Sequence, residues 1–205
     1  APLPFVERDG DGFVLVEEEN AGERRASSFG RMGAFHGQMG MFTRALAYVL
    51  SLGGDGLRQL SGDAVLSANY ILRSLEDVLD APFGSSGPCM HEALFSDEGF
   101  AGGITTLDLA KGLIDEGFHP MTMYFPLVVH GAMLVEPTET ESKAALDQLI
   151  DAMRGLAERA KAGDLTLKDA PLYAPRRRLD ETLAARHPVL VYRDPGEDKA
   201  AVAPR

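Results

Sequence analysis

The segment Gly117-Phe118-His119-Pro120 holds a histidine that could take part in chemistry. A proline disfavours helical backbone in the residue before it, so His119 is expected in extended backbone just after a helix ends. This placement would aim the imidazole in a fixed direction, as a general acid or base requires. It also fits a simple helix stop, in which the ring lies near the negative end of the helix dipole. The residues alone leave both interpretations open.

A second histidine follows the only cysteine in Pro88-Cys89-Met90-His91-Glu92. A Cys-His nucleophile is one interpretation, but such pairs are assembled from distant segments and need a third group that orients the base. A buried, unreactive Cys89 is the preferred interpretation. His91 enters a predicted strand from a turn, where a scaffold can direct a side chain into a cleft, so His91 is kept as a candidate for a catalytic role.

Acidic and hydroxyl side chains crowd the segment from Glu136 to Ser142. Thr138 and Glu141 have the spacing of a capping box, and acids near a helix N-terminus are stabilised by its dipole. One cap needs only one hydroxyl and one acid, which leaves Glu136 or Glu139 for a ligand or a partner. General acid/base chemistry by these two carboxylates is one hypothesis.

The histidines show no arrangement typical of a metal site. The five lie at positions 36, 91, 119, 130 and 187, with no His-Glu-x-x-His and no Cys/His spacing of the zinc-binding type. We therefore predict no metal site. His36 lies where a helix is predicted to begin, which suits a packed structural histidine and also an anionic ligand at a helix N-terminus.

Composition narrows the class of protein. The 31 acidic residues exceed the 20 Lys plus Arg, and this net charge of -11 disfavours a nucleic acid as partner. Apolar runs such as 45–50 are far shorter than the roughly 20 residues that a membrane-spanning helix requires. A single cysteine predicts no intrachain disulfide and favours a reducing cytoplasm. The start at Ala1, without an initiator methionine, indicates a processed or partial chain.

Turn signals and apolar periodicity predict the elements that position these residues. A hairpin is predicted from strands at 5–8 and 13–17, followed by a charged loop at 17–26. Two long helices are predicted next, one from Phe29 to the Gly53-Gly54 pair and one from Gly56 to Asp80. A stripe of glycines on the first helix would let another backbone approach closely, at Gly30, Gly33, Gly37 and Gly40.

Short strands and helices alternate in the remainder of the chain. Strands are predicted at 91–95 and 132–135, with a helix at 107–118 between them and an amphipathic helix at 146–160. The phosphate-binding patterns G-x-G-x-x-G and G-x-x-x-x-G-K-[ST] are both missing, so we predict an α+β fold rather than a doubly wound sheet. The predicted divisions are an N-terminal hairpin with a charged loop (1–28), a long helical connecting segment (29–80), an α+β small domain (81–179) and a C-terminal tail (180–205).

A series of segments, in order along nearly the whole chain to Tyr192, resembles the P-protein of the glycine cleavage system, glycine dehydrogenase (decarboxylating). The end of the chain, from Arg178 to Leu190, resembles the second subunit of the split prokaryotic form. The matching segments are Gly30-Arg31 with Ala34-Phe35-His36-Gly37, Arg44 to Gly53, Ala64 to Tyr70, Pro88 to Glu92, Thr106 to Lys111, Gly117 to Pro120, Tyr124-Phe125-Pro126, and Glu136 to Ser142.

The resemblance implies a fold and a reaction. The fold would be the C-terminal small domain of a fold type I, aminotransferase-like pyridoxal-phosphate enzyme, with a long connecting helix. The reaction would decarboxylate glycine and transfer the aminomethyl group to the lipoyl group of the H-protein. The implied partners are the remainder of the second subunit, the first subunit and the lipoylated H-protein, in a prokaryotic cytoplasm.

The resemblance also implies a lysine that anchors pyridoxal phosphate, and this lysine is expected upstream of Ala1. Lys111, Lys143, Lys161, Lys168 and Lys199 all lack the histidine that precedes the family's lysine. The resemblance thus implies a catalytic part without its cofactor anchor, and the alternative is a non-catalytic assembly fragment of the same subunit. The candidate catalytic residues are His119, Glu139 and His91, and the candidates for lining the cleft are His36, Asn69 and Thr138.

Overall fold

The computed structural model describes residues 2–23, 28–31 and 37–192. The chain divides into two compact units, Ala1–Arg58 and Gln59–Arg205. This division falls inside the predicted helical segment 29–80, and the boundaries of the four predicted segments remain predictions.

The first unit contains the predicted hairpin, which is confirmed. Strand β1 (Phe5–Asp9) pairs antiparallel with β2 (Gly12–Val16), and Gly10 turns the chain with φ 60°. This left-handed backbone suits glycine because it has no Cβ to clash. Leu3 and Val16 are buried with Ala21 and form the small apolar cluster of this unit.

Helix α1 (Met39–Leu75) is interrupted at Gly53, whose φ of 62° and ψ of -176° are not helical. The predicted break between two long helices is thus confirmed. The predicted start at Phe29 is wrong, because the Leu3 amide donates to the Gly30 carbonyl and this segment lies extended in a bridge. The predicted glycine stripe is wrong as well, since Gly30 and Gly37 have φ values of 95° and 105°. Gly33 lies outside the described residues.

The second unit is an antiparallel three-stranded sheet with helices packed on it, which confirms the predicted α+β class. Strands β3 (Ala93–Phe95), β4 (Thr122–Met123) and β5 (Met133–Val135) lie in the order β3-β5-β4. Helices α2 (Thr106–Asp115) and α3 (Lys143–Lys161) supply apolar faces. The core joins these elements to the C-terminal end of α1, through buried residues that include Ile71, Leu75, Phe95, Leu109, Leu113, Met133, Met153 and Leu156.

The helix caps differ from the predicted ones. Ser142 caps α3 by accepting a hydrogen bond from the Ala145 amide, so the capping box predicted for Thr138 and Glu141 is wrong. A serine directly before the helix replaces a threonine four residues further away. The capping box belongs instead to α2, where the buried Asp108 carboxylate accepts from the Thr105 amide.

Polar contacts tie α1, and the turn directly after it, to α3 at two points. The Arg154 guanidinium donates to both carboxylate oxygens of Asp77, at 2.7 and 2.8 Å, and this contact holds the pKa of Asp77 below its ordinary value. The Tyr70 hydroxyl donates to Asp147 at 2.6 Å, and the Lys143 ammonium lies over the same tyrosine ring. The two helices are therefore held in register by side chains as well as by apolar packing.

The segment after α3 returns across the second unit. Arg178 pairs with the buried carboxylate of Asp108 at 2.8 Å and donates to the carbonyls of Leu167 and Ala170. A short helix α4 (Glu181–Arg186) follows, capped by Asp180. Among the helices that the structure describes, we find none with the length and apolar character of a membrane span.

Candidate functional site

A cavity of about 400 Å³ opens between the sheet and helix α3 in the second unit. Its rim is polar and includes an imidazole, two carboxylates and two hydroxyls, from His119, Glu136, Glu141, Thr122 and Thr138. Its floor is apolar and includes the core residues Leu113, Leu146 and Met153. A concave apolar site with a few convergent polar groups is the usual form of a small-ligand site.

The end of α2 places His119 on this rim. The Phe118 amide donates to the Leu113 carbonyl and the Gly117 amide donates to the Ile114 carbonyl. This pair of bonds is a Schellman motif, and Gly117 takes the left-handed φ of 87° that the motif requires. The chain therefore reverses before His119, and Pro120 then leads into β4.

The end of β5 places the acidic and hydroxyl groups opposite. Glu136, Pro137 and Thr138 follow the strand directly and line the cavity. The Thr138 hydroxyl shares a hydrogen bond of 2.7 Å with the Thr140 hydroxyl, and the Glu141 amide donates to the Thr138 carbonyl. A turn therefore folds Glu141 back to the cavity, whereas Glu139 does not line it.

His91 lies beside the cavity rather than in its lining. Its Nε2 is 3.8 Å from Oε1 of Glu136, so one carboxylate faces both the cavity and this imidazole. Glu136 thus shares the cavity lining with His119 and Thr138 and also faces His91, although these candidates come from segments up to about 50 residues apart. His36 lies outside the described residues.

Asn69 does not line the cavity. It fixes the backbone of Cys89, which lies two residues before His91. Its side-chain amide donates to the Cys89 carbonyl at 2.8 Å, and its Oδ1 accepts from the Cys89 amide at 2.9 Å. One amide thereby satisfies both backbone groups of Cys89, as a neighbouring strand would. Burial raises the pKa of the Cys89 thiol. A nucleophilic cysteine needs a lowered pKa, so this geometry favours the unreactive interpretation.

No lysine lines the cavity within the described part of the chain. Lys143 lies in the sequence between the lining residues Glu141 and Ala145. The Lys143 ammonium donates to Asp147 at 2.7 Å and to the Tyr70 hydroxyl. These hydrogen bonds raise the pKa of Lys143. An amine that forms a Schiff base needs the opposite shift, because the neutral amine is the nucleophile.

Sequence reasoning missed an arrangement around the loop before β5. The Asp97 carboxylate accepts from the Thr106 amide at 3.1 Å, and the Thr106 hydroxyl donates to the Gly131 carbonyl at 2.6 Å. Gly131 has φ 59°, and a Cβ at this position would lie 1.7 Å from Oδ1 of Asp97. Thr106, at the start of a helix, and Gly131, an isolated glycine, are 25 residues apart and come into contact only in the folded structure.

The fold has a counterpart among solved proteins. A crystal structure of glycine decarboxylase (P-protein) of the glycine cleavage system, in inhibitor-bound form, matches with a TM-score of 0.54 at 21% identity. The match covers 75% of this chain and 35% of that one. Over three quarters of its length, the chain therefore has the fold of a part of this P-protein, as the sequence predicts.

Residues 61–175 match the family model described as glycine dehydrogenase, C-terminal domain, and the chain belongs to this family. It is 63% identical over 193 residues to a probable glycine dehydrogenase (decarboxylating) subunit 2 of Caulobacter vibrioides. The protein of the same description from Treponema denticola is 47% identical over 194 residues. These matches cover 93% and 94% of the chain but only 36% and 39% of the two relatives. The chain spans little more than a third of their length.

Proposed function

We propose that the chain works as the C-terminal domain of a glycine-decarboxylating subunit. The observation that carries this proposal is the 63% identity to a glycine dehydrogenase (decarboxylating) subunit 2 across 93% of the chain. In the complete enzyme, glycine would lose its carboxyl carbon and the aminomethyl group would pass to the lipoyl group of an H-protein. A first P-protein subunit would complete the enzyme, in the cytoplasm.

Pyridoxal phosphate would supply the electron sink for this decarboxylation when it is bound. The described residues do not fit its anchor, because the cavity lacks a lysine and Lys143 is held protonated by Asp147. The anchoring lysine would therefore belong to the part of the family's length that this chain does not span.

The role proposed for this domain is to present the cavity rim to the reacting groups. His119 would hold or move a proton at an imidazole nitrogen, and Thr138 would orient a polar group of the substrate through its hydroxyl. Both residues line the cavity, which supports their assignment to a substrate-facing wall. Glu139, which does not line it, would act only from the surface beside the wall.

The test uses the full-length subunit assembled with its partner subunit and a lipoylated H-protein. His119→Ala is expected to lower kcat/KM for glycine decarboxylation by about 100-fold, the lower end of the contribution of a general acid or base. His187→Ala is the matched control, because this exposed histidine ends α4 and does not line the cavity. Equal activities of the two variants would refute the role of His119.

A separate measurement tests the missing anchor. The chain is mixed with pyridoxal phosphate, reduced with borohydride and mapped by mass spectrometry. The expected result is scattered, substoichiometric labelling of surface lysines. One lysine labelled stoichiometrically would overturn the assignment of the anchor to another part of the protein.

A second candidate function, assembly without catalysis, is favoured by the apolar side chains on the first part of α1. Met39, Phe42, Leu46 and Leu50 are each more than half exposed. Burial of this row against the rest of the subunit would stabilise an assembly. Exposed apolar patches commonly mark such interaction sites. Leu46→Glu would then prevent assembly with full retention of the fold of the second unit, whereas His119→Ala would leave assembly intact.

A further inference from the structure

The ends of β3 and β5 bring two carboxylates together at the edge of the sheet. Ala93 pairs with Val135 in the antiparallel ladder. Continuing this register by one residue sets Glu92 opposite Glu136, and residues in such positions lie on the same face. Like charges directly opposite each other on a sheet are destabilising. The arrangement therefore favours a positive charge between the two carboxylates.

An imidazole completes this pair. His91 Nε2 lies 3.8 Å from Glu136 Oε1, and one ligand atom from each of His91, Glu92 and Glu136 can be chosen so that all three lie within 4.8 Å of one another. Tetrahedral zinc with bonds of about 2.0–2.1 Å sets its ligands roughly 3.3 Å apart. Small rotations of these side chains are enough to close that difference.

The backbone that carries the imidazole is held in place. Asn69 fixes both backbone groups of Cys89, two residues before His91, and β3 begins two residues after it. Glu136 follows β5 directly. All three side chains thus project from short segments fixed at one or both ends, so the backbone needs no folding transition to bring them together.

We propose that His91, Glu92 and Glu136 form a binding site for a divalent transition-metal ion, with Zn²⁺ the preferred occupant. One imidazole and two carboxylates are ligands that zinc accepts, and three protein ligands leave one coordination position for water or another small ligand. Glu136 also lines the cavity, so the bound ion lies at the edge of the proposed substrate-facing wall. The site escapes sequence motifs because its ligands come from two segments more than 40 residues apart.

The test is a titration of the full chain with Co²⁺, followed by its visible absorption, and a competition with Zn²⁺. One ion is expected to bind, with a spectrum of nitrogen and oxygen ligands and no thiolate charge-transfer band. His91→Ala and Glu136→Gln are each expected to weaken binding at least about tenfold, the smallest loss usual for groups that support a metal site. Both side chains are more than half exposed, so the fold should survive and unfolding midpoints check this.

The matched control is His130→Ala. His130 is fully exposed and lies 3.5 Å from one carboxylate, that of Asp97, but it belongs to no group of three ligands among the described residues. Metal affinity should be unchanged in this variant and in Cys89→Ser. The proposal is overturned if the parent chain binds no Co²⁺, if His91→Ala and Glu136→Gln bind as the parent does, or if the His130 variant loses the ion. None of these results bears on glycine decarboxylation itself.

Discussion

The two parts of helix α1 on either side of Gly53 have similar apolar periodicity and different surroundings. Before Gly53, Leu46 and Leu50 are 59% and 72% exposed. Towards the C-terminal end, Ile71 and Leu75 are fully buried in the core of the second unit. Periodicity predicts that a helix has an apolar face, because side chains three and four residues apart share a side. It contains no information on what covers that face.

The largest effect should come from deleting a side chain in the buried part. Leu75→Ala is expected to destabilise the second unit by about 2–5 kcal/mol, since it leaves a cavity among fully packed residues. Leu46→Ala is the counterpart in the exposed part and should change the free energy of unfolding by less than about 0.5 kcal/mol. Urea unfolding followed by circular dichroism measures both.

An equal loss of unfolding free energy in Leu46→Ala and Leu75→Ala would contradict this difference between the two parts of α1. Such a result would mean that the free chain already covers the first part of α1, for example by self-association. Repeating the unfolding at a tenfold lower protein concentration distinguishes self-association from contacts within one chain, because only an associated state loses stability on dilution.

A smaller effect should appear at the junction of the two parts. Gly53→Ala places a Cβ on backbone with φ 62° and ψ -176°, a region open essentially to glycine alone, and should cost about 1–3 kcal/mol. Gly54→Ala should instead stabilise by about 1 kcal/mol, since Gly54 is helical, has open space around its Cβ position and alanine is the better helix former. Opposite signs in thermal unfolding confirm the break, and stabilisation by both variants would show a continuous helix.

The smallest effect concerns acid sensitivity of the second unit. Hydrogen bonds from Thr166 and Arg159 lower the pKa of Asp164 from 3.8 to about 2. A lowered pKa in the folded state adds stability above pH 3.8, and this stability is lost as the pH falls through about 2. Asp164→Asn should therefore be less stable than the parent at pH 5, and the difference should shrink steadily towards pH 2. A difference independent of pH would exclude this explanation.

The sequence predicted much of the fold from local signals. The hairpin, the break at Gly53 and the α+β class follow from turn residues and apolar spacing, which are properties of neighbouring positions. The start of α1 was mispredicted because the Leu3–Gly30 hydrogen bond comes from a distant segment. The cap of α3 was mispredicted because Ser142 competes with Thr138 for the same role, and spacing alone does not rank them.

Some residues of the candidate cavity were predicted from the sequence but their arrangement was not, and the candidates Asn69 and Glu139 do not line the cavity. His119 and Thr138 were selected from a helix stop and an acidic turn, and both line the cavity. The opposition of Glu92 and Glu136 depends on the register of β3 with β5, which one-dimensional patterns do not contain. The register of strand pairing, rather than the type of each residue, is what could not be predicted from the sequence.

The loop before β5 has a consequence for sequence drift. The volume that any side chain at 131 would need is already filled by the Asp97 carboxylate, and that carboxylate holds the first amide of α2. Substitution at 131 would therefore be tolerated only after position 97 had become smaller, at the expense of the helix start. We therefore expect homologous chains either to keep both Asp97 and Gly131 or to change both, although the two positions are 34 residues apart.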